Sequence, residues 1–240
     1  MEDIRQERVK NKISIGDRMK ENYENRYRIK LTRRMPVIIR LDGKAFHGLT
    51  QACEKPFDEK FSKAMVDTAN YLCCEVQGTK CAYIQSDEIS LLLTDFDTLT
   101  TEGWFDYNLQ KMVSISAGIA SSFFSLKWLR IVVFDSRAFN IPKEEVCNYF
   151  IWRQKDWERN SIQMLAQAHF SHKQLDRKNS SDMHEMLHGK GVNWAKLDDK
   201  WKNGWFIHKE ESWIHQPAPM FTKERQTIEC YLLENSLELG

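Results

Sequence analysis

The chain lacks the cysteine pattern of a zinc or disulfide module. Its six cysteines are Cys53, Cys73, Cys74, Cys81, Cys147 and Cys230; none forms a C-x-x-C pair, and no histidine completes a zinc-type spacing. Reduced, partly buried thiols are the expectation. Residues 1–34 show neither a basic-then-apolar leader pattern nor a membrane-spanning apolar run. A cytoplasmic protein with no membrane partner is expected. Internal repeats and low-complexity stretches are absent as well. Charge of one sign is not in excess: 35 Lys and Arg face 34 Asp and Glu, so the overall balance does not announce nucleic acid. A local basic patch stays open.

What is present is enough for a folded core. The chain has 240 residues, 42% hydrophobic and 29% charged, which allows one elaborated domain or two small ones. Residues 37–47 read V-I-I-R-L-D-G-K-A-F-H. The β-branched run predicts a buried strand over 37–41. Asp42 stands at its mouth, where a carboxylate is awkward for packing and useful for a metal. Gly43 lets backbone approach a ligand. Lys44, Ala45, Phe46 and His47 then offer successive N–H groups beside a cation and an imidazole, which suits a triphosphate. An ordinary Asp-Gly turn is the plain alternative.

Residues 81–93 read C-A-Y-I-Q-S-D-E-I-S-L-L-L, two apolar runs around Ser86-Asp87-Glu88. This predicts a hairpin with carboxylates at its tip, where Asn-Gly or Asp-Gly would be usual. If the hairpin lies beside the first strand, Asp42 and Asp87 face one another. Two close carboxylates repel, and a pair of Mg²⁺ ions relieves the repulsion. Such a pair also serves nucleotidyl transfer.

Helical spacing predicts a helix over 57–76, with Phe57, Phe61, Ala64, Met65, Thr68, Ala69 and Leu72 on one face and Asp58 in the first turn. Asp58 serves helix-end electrostatics or contacts a ligand. A second helix is predicted over 107–126 and a strand over 129–134. The resulting order is the α+β, ferredoxin-like β-α-β-β-α-β arrangement, which brings Asp42 and Asp87 together. Upstream, a helix over 17–30 would align Met19, Tyr23, Tyr27 and Leu31. Its basic end, Arg26, Arg28, Lys30, Arg33 and Arg34, would touch nucleic acid or simply face solvent.

Two divisions follow: residues 1–140 as N-terminal segment plus catalytic domain, and 141–240 as a helical and small-strand elaboration packed on it. Pro142 opens a helix extending towards His169, with Asn140 able to cap it. Residues 170–190 read as a weakly periodic connector holding His172, His184 and His188, with no compact ligand set. A glycine-flanked turn at 189–194 carries Lys190, and 201–207 reads as a short strand. Six of the eight tryptophans lie in this half. Core or subunit packing and base stacking are both open for them.

Several ordered motifs together resemble the tRNA(His) guanylyltransferase family, particularly its bacterial and archaeal guanylyltransferase-like members. They are R-L-D-G-K-A-F-H at 40–47, K-P-F-D at 55–58, Q-S-D-E at 85–88 and S-x-x-x-G-I-A-S-S-F at 114–123. F-D-S-R at 134–137, Y-F-I-W-R-Q-K-D at 149–156 and H-G-K-G-V-N at 188–193 complete the set. The resemblance implies a polymerase-like palm domain, a homotetramer, and nucleotide addition to the 5′ end of tRNA in the 3′→5′ direction. It implies that Asp42, the Gly43 carbonyl and Asp87 bind two Mg²⁺ ions, with Glu88 as the neighbouring catalytic acid. Lys44, Ala45, Phe46, His47, Lys55, Asp58 and Ser86 match nucleotide-site positions. Lys111, Arg137, Arg153, Lys190 and Asn193 would lie near phosphates or the tRNA end. The implied substrates are ATP, GTP and other nucleoside triphosphates, and tRNA held by its 5′ end and acceptor stem, with the anticodon left open.

The implied chemistry has two steps: adenylylation of a 5′-monophosphate, then attack by the 3′-hydroxyl of an incoming nucleotide with loss of AMP. One departure matters. Eukaryotic members carry His-Ile-Asn-Asn after the W-R-Q segment, whereas this chain has Glu158, Arg159, Asn160 and Ser161. That favours templated 5′-end repair over addition of the extra G to tRNA(His). Two other classes compete: a nucleotide-only enzyme such as a cyclase, set apart by a tRNA requirement, and a non-catalytic RNA binder. The retained acids argue against the latter, since buried unpaired carboxylates are costly.

Overall fold

The computed structural model describes residues 13–233; the opening of the N-terminal segment lies outside them. The centre is a six-stranded, wholly antiparallel sheet whose strands lie in the order Phe134–Asn140, Val37–Gly43, Glu88–Leu93, Thr79–Gln85, Trp205–Lys209, Trp213–Pro217. Strand β1 spans Val37–Gly43, β2 Thr79–Gln85, β3 Glu88–Leu93 and β4 Phe134–Asn140. Because β1 is central, its alternate residues enter different cores. Val37, Ile39 and Leu41 pack on one side and Ile38 on the other. A run with few polar residues suits a strand covered on both faces.

Between Val37–Gly43 and the hairpin runs a short helical turn, α2 (Phe46–Leu49), and then α3 (Glu59–Glu75). Helix α4 (Leu109–Trp128) links β3 to β4. The β-α-β-β-α-β order is therefore present. Met112, Ser116, Ala120 and Phe124 recur every four residues and form the buried stripe of α4. Phe61, Ala64, Met65, Thr68, Ala69 and Leu72 do the same for α3. Both helices cover one face of the sheet.

The other face lies under α5 (Lys143–His169), whose Val146, Cys147, Tyr149 and Phe150 meet Ile38, Tyr83 and Leu92. Pro142, not Asn140, precedes α5 at its cap position. Asn140 instead holds the chain before β1: its side chain accepts from the Thr32 N–H at 2.7 Å and donates to the Thr32 carbonyl at 3.0 Å.

Three further expectations require correction. The strand expected over 129–134 lies at Phe134–Asn140. Leu129 is taken by the end of α4 in a left-handed conformation (φ 55°), and Leu129 and Ile131 are about nine-tenths exposed. Pairing with β1, not the β-branched run, sets the strand. The supposed connector contains helices α6 (His172–Leu175) and α7 (Ser180–Gly189). Met183 and Leu187 of α7 close on Ile162, Leu165 and Ala166 of α5. The predicted N-terminal helix is only α1 (Ile15–Met19), continued by irregular helical turns to Tyr27. Met19, Tyr23 and Tyr27 are exposed.

The C-terminal segment does not stand apart from the sheet. After α8 (Asp199–Asn203), β5 (Trp205–Lys209) pairs with β2, and β6 (Trp213–Pro217) pairs with β5. The predicted strand over 201–207 thus begins later. Gly204 makes the entry: its φ is +82°, and a Cβ there would lie 2.5 Å from the Ile84 carbonyl oxygen. Helix α9 (Gln226–Glu229) runs into a last 3-10 turn, Cys230–Leu232. No described helix is long and apolar enough to cross a membrane.

Candidate active site

Asp42 is the penultimate residue of β1, directly between Glu88 of β3 and Asp135 of β4. The adjoining hairpin has only two residues, Ser86 and Asp87, between the paired Gln85 and Glu88. Ser86 takes φ 46°, a conformation in which glycine is usual. The hairpin tip is fastened to the end of β1, because the Gly43 N–H donates to the Asp87 carbonyl at 3.2 Å. The pairing thus delivers Asp42 and Asp87 to one cavity of about 370 Å³, which Glu88, Arg153, Asp156 and Asn160 also line.

The electrostatics place Asp42 and Asp87 both above the ordinary carboxylate range. Burial, followed by the charge of Asp42, pushes the Asp87 carboxyl up to about 6. Burial, followed by the charge of Asp135, raises Asp42 above the ordinary carboxylate range, although Arg40, Arg137 and Arg153 oppose the shift. Two such carboxylates are short of positive charge.

Glu88 differs. Arg153 grips it with both arms, Nε to Oε1 at 2.7 Å and Nη2 to Oε2 at 2.6 Å, and Gln85 donates to Oε1 at 3.2 Å. Arg153 also reaches Asp156 at 3.0 Å. Burial would lower the Arg153 pKa, but Glu88 and Asp156 raise it overall.

A second cavity of about 370 Å³ also opens at the hairpin tip. Its wall is aromatic. The Phe57 and Trp201 rings stack at 4.9 Å with planes 6° apart, and Trp157 lies 6.4 Å from Phe57. Trp205 also lines it, held by a 2.8 Å bond from its indole nitrogen to Ser62. His47 and Lys55 stand at the polar rim with Thr50, whose carbonyl accepts from Lys55 Nζ at 3.0 Å. Gln85, Ser86, Asp87 and Trp157 line both cavities.

The chain has known relatives. A family model described as tRNAHis guanylyltransferase (Thg1) matches residues 16–142. The chain belongs to the tRNA(His) guanylyltransferase family. Within this family of nucleotidyltransferase enzymes, the tRNA(His) guanylyltransferase of Debaryomyces hansenii is 26% identical over 227 residues, 84% of each protein. A solved bacterial Thg1-like protein in complex with ATP superposes with a TM-score of 0.88 at 45% identity, over 92% of this chain and all of that one. A GTP complex described in the same words gives 0.82 at 42% identity, over 92% and 99%.

The structure of this family member groups the sequence-derived residues unevenly. Asp42, Ser86, Asp87, Glu88 and Arg153 line the acidic cavity; Phe46, His47, Lys55, Asp58, Ser86 and Asp87 line the aromatic one. Several are already engaged. Asp58 caps α3, accepting from Phe61 N–H at 2.7 Å and Glu54 N–H at 2.9 Å. Burial pushes its pKa up, but these backbone bonds bring it below the usual value. The Lys44 N–H donates to the Val133 carbonyl at 2.8 Å, so it is not free for a phosphate. Phe46 turns its ring inward, 5.0 Å from Phe134, against Gly43; a Cβ on Gly43 would lie 2.5 Å from that ring. Gly43 therefore has a packing reason of its own.

Lys111, Lys190, Asn193 and Arg137 line neither cavity. Lys111 sits in the first turn of α4, while Ser121, ten residues on and about 15 Å along the helix, bonds to Phe134 beside the site end of β1. Lys190 donates to the His169 carbonyl at 2.8 Å, at the end of α5 and about 24 Å along the helix from Arg153. Asn193 accepts from Ala195 N–H at 2.9 Å and caps a local turn. Arg137 bonds to Asp135 at 3.0 Å and flanks Asp42 through β4. Among the described residues, no group of three or more His, Cys, Asp or Glu side chains has a metal-binding arrangement, the three connector histidines included.

Lys30, Arg33 and Arg34 of the basic N-terminal end are also committed within the chain. Lys30 pairs with Asp106, Arg33 with buried Asp95, and Arg34 donates to the Thr98 carbonyl at 2.8 Å. Sequence reasoning missed the Phe57–Trp201 wall and Trp157. The tryptophan cluster was the available signal, but it did not separate cavity wall from core.

Proposed function

We propose that this chain is a nucleotidyltransferase that adds guanylate to the 5′ end of tRNA(His). The observation that carries this reading is the pair Asp42 and Asp87, raised together in a cavity adjoining an aromatic one. The ATP and GTP bound by similar solved proteins support a nucleotide there, and the names of the curated relatives support tRNA(His).

The residues present fit Mg²⁺. Two underneutralised carboxylates supply hard oxygen ligands, and Mg²⁺ takes one or two carboxylates plus substrate phosphates. Asp42, Asp87 and the Gly43 carbonyl would hold two ions. Bound there, Mg²⁺ would neutralise the leaving phosphates and lower the pKa of the attacking hydroxyl. The chain's own residues do the rest. Phe57 and Trp201 stack against the base, while His47 and Lys55 lie towards the phosphates. Arg153 holds Glu88, which keeps the hairpin tip and α5 at a fixed separation. The sheet around β1–β4 serves as a polymerase-like palm, with the acids at one end.

The reaction on this reading begins with a tRNA 5′-phosphate oxygen attacking the α-phosphorus of ATP, releasing pyrophosphate. The GTP 3′-hydroxyl then attacks the activated 5′-phosphate and AMP leaves. Holding the attacking oxygen in line is the main demand on the protein.

A second reading, templated repair of shortened 5′ ends, is favoured by residues 158–161. Arg159 pairs with Asp156, Ser161 receives the Trp194 indole N–H at 2.9 Å, and Asn160 lines the acidic cavity. None supplies the histidine of the eukaryotic motif. The two readings separate in one assay. Full-length tRNA(His) lacking its extra G is offered with A or C as the discriminator base, with ATP, GTP and Mg²⁺. Comparable addition opposite A and C supports the first reading; addition only opposite C supports the second. No 5′ extension of either substrate overturns both.

A further inference from the structure

A third cavity, of about 380 Å³, opens between the end of α5 and helix α6. Gln163, Gln167, Phe170, His172 and Arg177 are among its lining residues. It is continuous with the acidic cavity, because Gln163 and Gln167 line both. One groove therefore runs from Asp42 and Asp87 along α5 to α6. From Arg153 to Gln167 it follows the helix for about 21 Å. Asn160, Gln163 and Gln167 stand three and four residues apart, on one face of α5. Gln163 and Gln167 are exposed, and neither makes a hydrogen bond among the described residues. The far end of the groove carries positive charge. Arg177 is 94% exposed and meets only the exposed Asp176, at 3.8 Å. Lys190 lies over the Phe170 ring at 4.5 Å.

This chemistry selects its occupant. A neutral amide offers donors and an acceptor together, the complement of a base edge, whereas a phosphate only accepts. Base edges are free in single-stranded RNA, and protein side chains read RNA sequence chiefly there. The cavity has the size of a small-ligand site, so nucleotides enter it singly and a duplex does not. A tRNA with its 5′ end at Asp42 and Asp87 brings its unpaired 3′ nucleotides to the start of the groove. We propose that the groove along α5 holds the unpaired 3′ segment of tRNA, with Gln163 and Gln167 on base edges and Arg177 on a phosphate. This rests on the tRNA reading above and adds to it the strand lying beside the reacting 5′ end.

The test measures binding of 5′-monophosphate tRNA(His) lacking its extra G, whole or with its unpaired 3′ nucleotides removed, and 5′ addition to each. It uses the wild-type chain, the double variant Gln163→Ala/Gln167→Ala, and Arg177→Gln. Wild type is expected to bind the shortened RNA about tenfold more weakly than the whole one. The double variant binds both RNAs alike, at the weaker level. In Arg177→Gln the slope of log affinity against log salt falls by about 0.7 with whole tRNA and stays unchanged with the shortened one. Equal binding of the two RNAs by wild type, with 5′ addition intact, overturns the groove and leaves the tRNA reading standing. A difference between the RNAs that survives the double substitution overturns the groove equally. Failure of wild type to bind or extend the whole tRNA overturns the tRNA reading and the groove with it. The wild-type comparison needs no substitution, and alanine at two exposed, unbonded helix positions favours the helix.

Discussion

Arg153 on helix α5 holds Glu88 on strand β3 by two parallel hydrogen bonds of 2.7 and 2.6 Å, with both side chains less than a tenth exposed. The pair ties α5 to the acidic end of the sheet. Removing one partner leaves a buried charge alone, which costs about 3–5 kcal/mol. Arg153→Ala is therefore expected to lower unfolding free energy by that order in a denaturant titration. Adding Glu88→Gln should recover part of the loss. An Arg153→Ala chain as stable as wild type would refute the tie.

Asp87 gives a pH prediction with a definite sign. Its carboxyl is raised from 3.8 to about 6, so the folded chain binds this proton more tightly than the unfolded chain. Its contribution is most favourable below the unfolded value and is lost as pH rises through about 6. Above that, the ionised group costs on the order of 2–3 kcal/mol without a cation. Asp87→Asn should therefore be more stable than wild type at pH 8, with the advantage shrinking between pH 6 and 4. Thermal melts across that range, without and with Mg²⁺, provide the check. Mg²⁺ should raise the wild-type midpoint at pH 8 more than that of Asp87→Asn.

The aromatic cavity predicts a binding loss. If a base stacks against the Phe57–Trp201 pair, Trp201→Ala removes about 1–3 kcal/mol of stacking. Fluorescence or calorimetric titration should then show ATP affinity falling about tenfold or more. Unchanged affinity would move the base elsewhere.

Arg33 predicts the opposite of an RNA contact. Its guanidinium lies against Asp95, whose side chain is fully buried and also accepts from the Arg34 N–H at 2.9 Å. Arg33→Met should destabilise the fold by about 1–3 kcal/mol. The slope of log tRNA affinity against log salt should stay the same, whereas loss of a phosphate contact would reduce it by about one.

What was legible in the sequence follows the range of the forces involved. The first strand, the hairpin and α3 are written in local patterns: β-branched runs, and apolar residues three and four apart. The carboxylate pair was legible because it follows from strand adjacency. β4 was displaced because pairing with β1 decides its position, and the β-branched Ile131-Val132-Val133 run lies beyond that ladder, with Val133 bonded to the Lys44 N–H past the end of β1. Helix α7 was missed because only Met183 and Leu187 are buried in it; the Asn179–Asp182 capping box was the overlooked sign. The Phe57–Trp201 wall joins residues far apart in sequence, and no local pattern encodes that contact. Asp58, Asn193 and Lys190 fit ligand roles by residue type, yet the folded backbone uses all three.

The most direct test concerns Asp42 and Asp87 themselves. Wild type, Asp42→Asn and Asp87→Asn would be incubated with 5′-monophosphate tRNA(His) lacking its extra G, with ATP, GTP and Mg²⁺, and the 5′ ends mapped. Wild type is expected to give a 5′ end extended by one G, with extension lost by at least 10²-fold in both folded variants, as when charge-stabilising groups are removed from an active site. Extension by either variant at the wild-type rate would contradict the assignment of these carboxylates as the reaction centre.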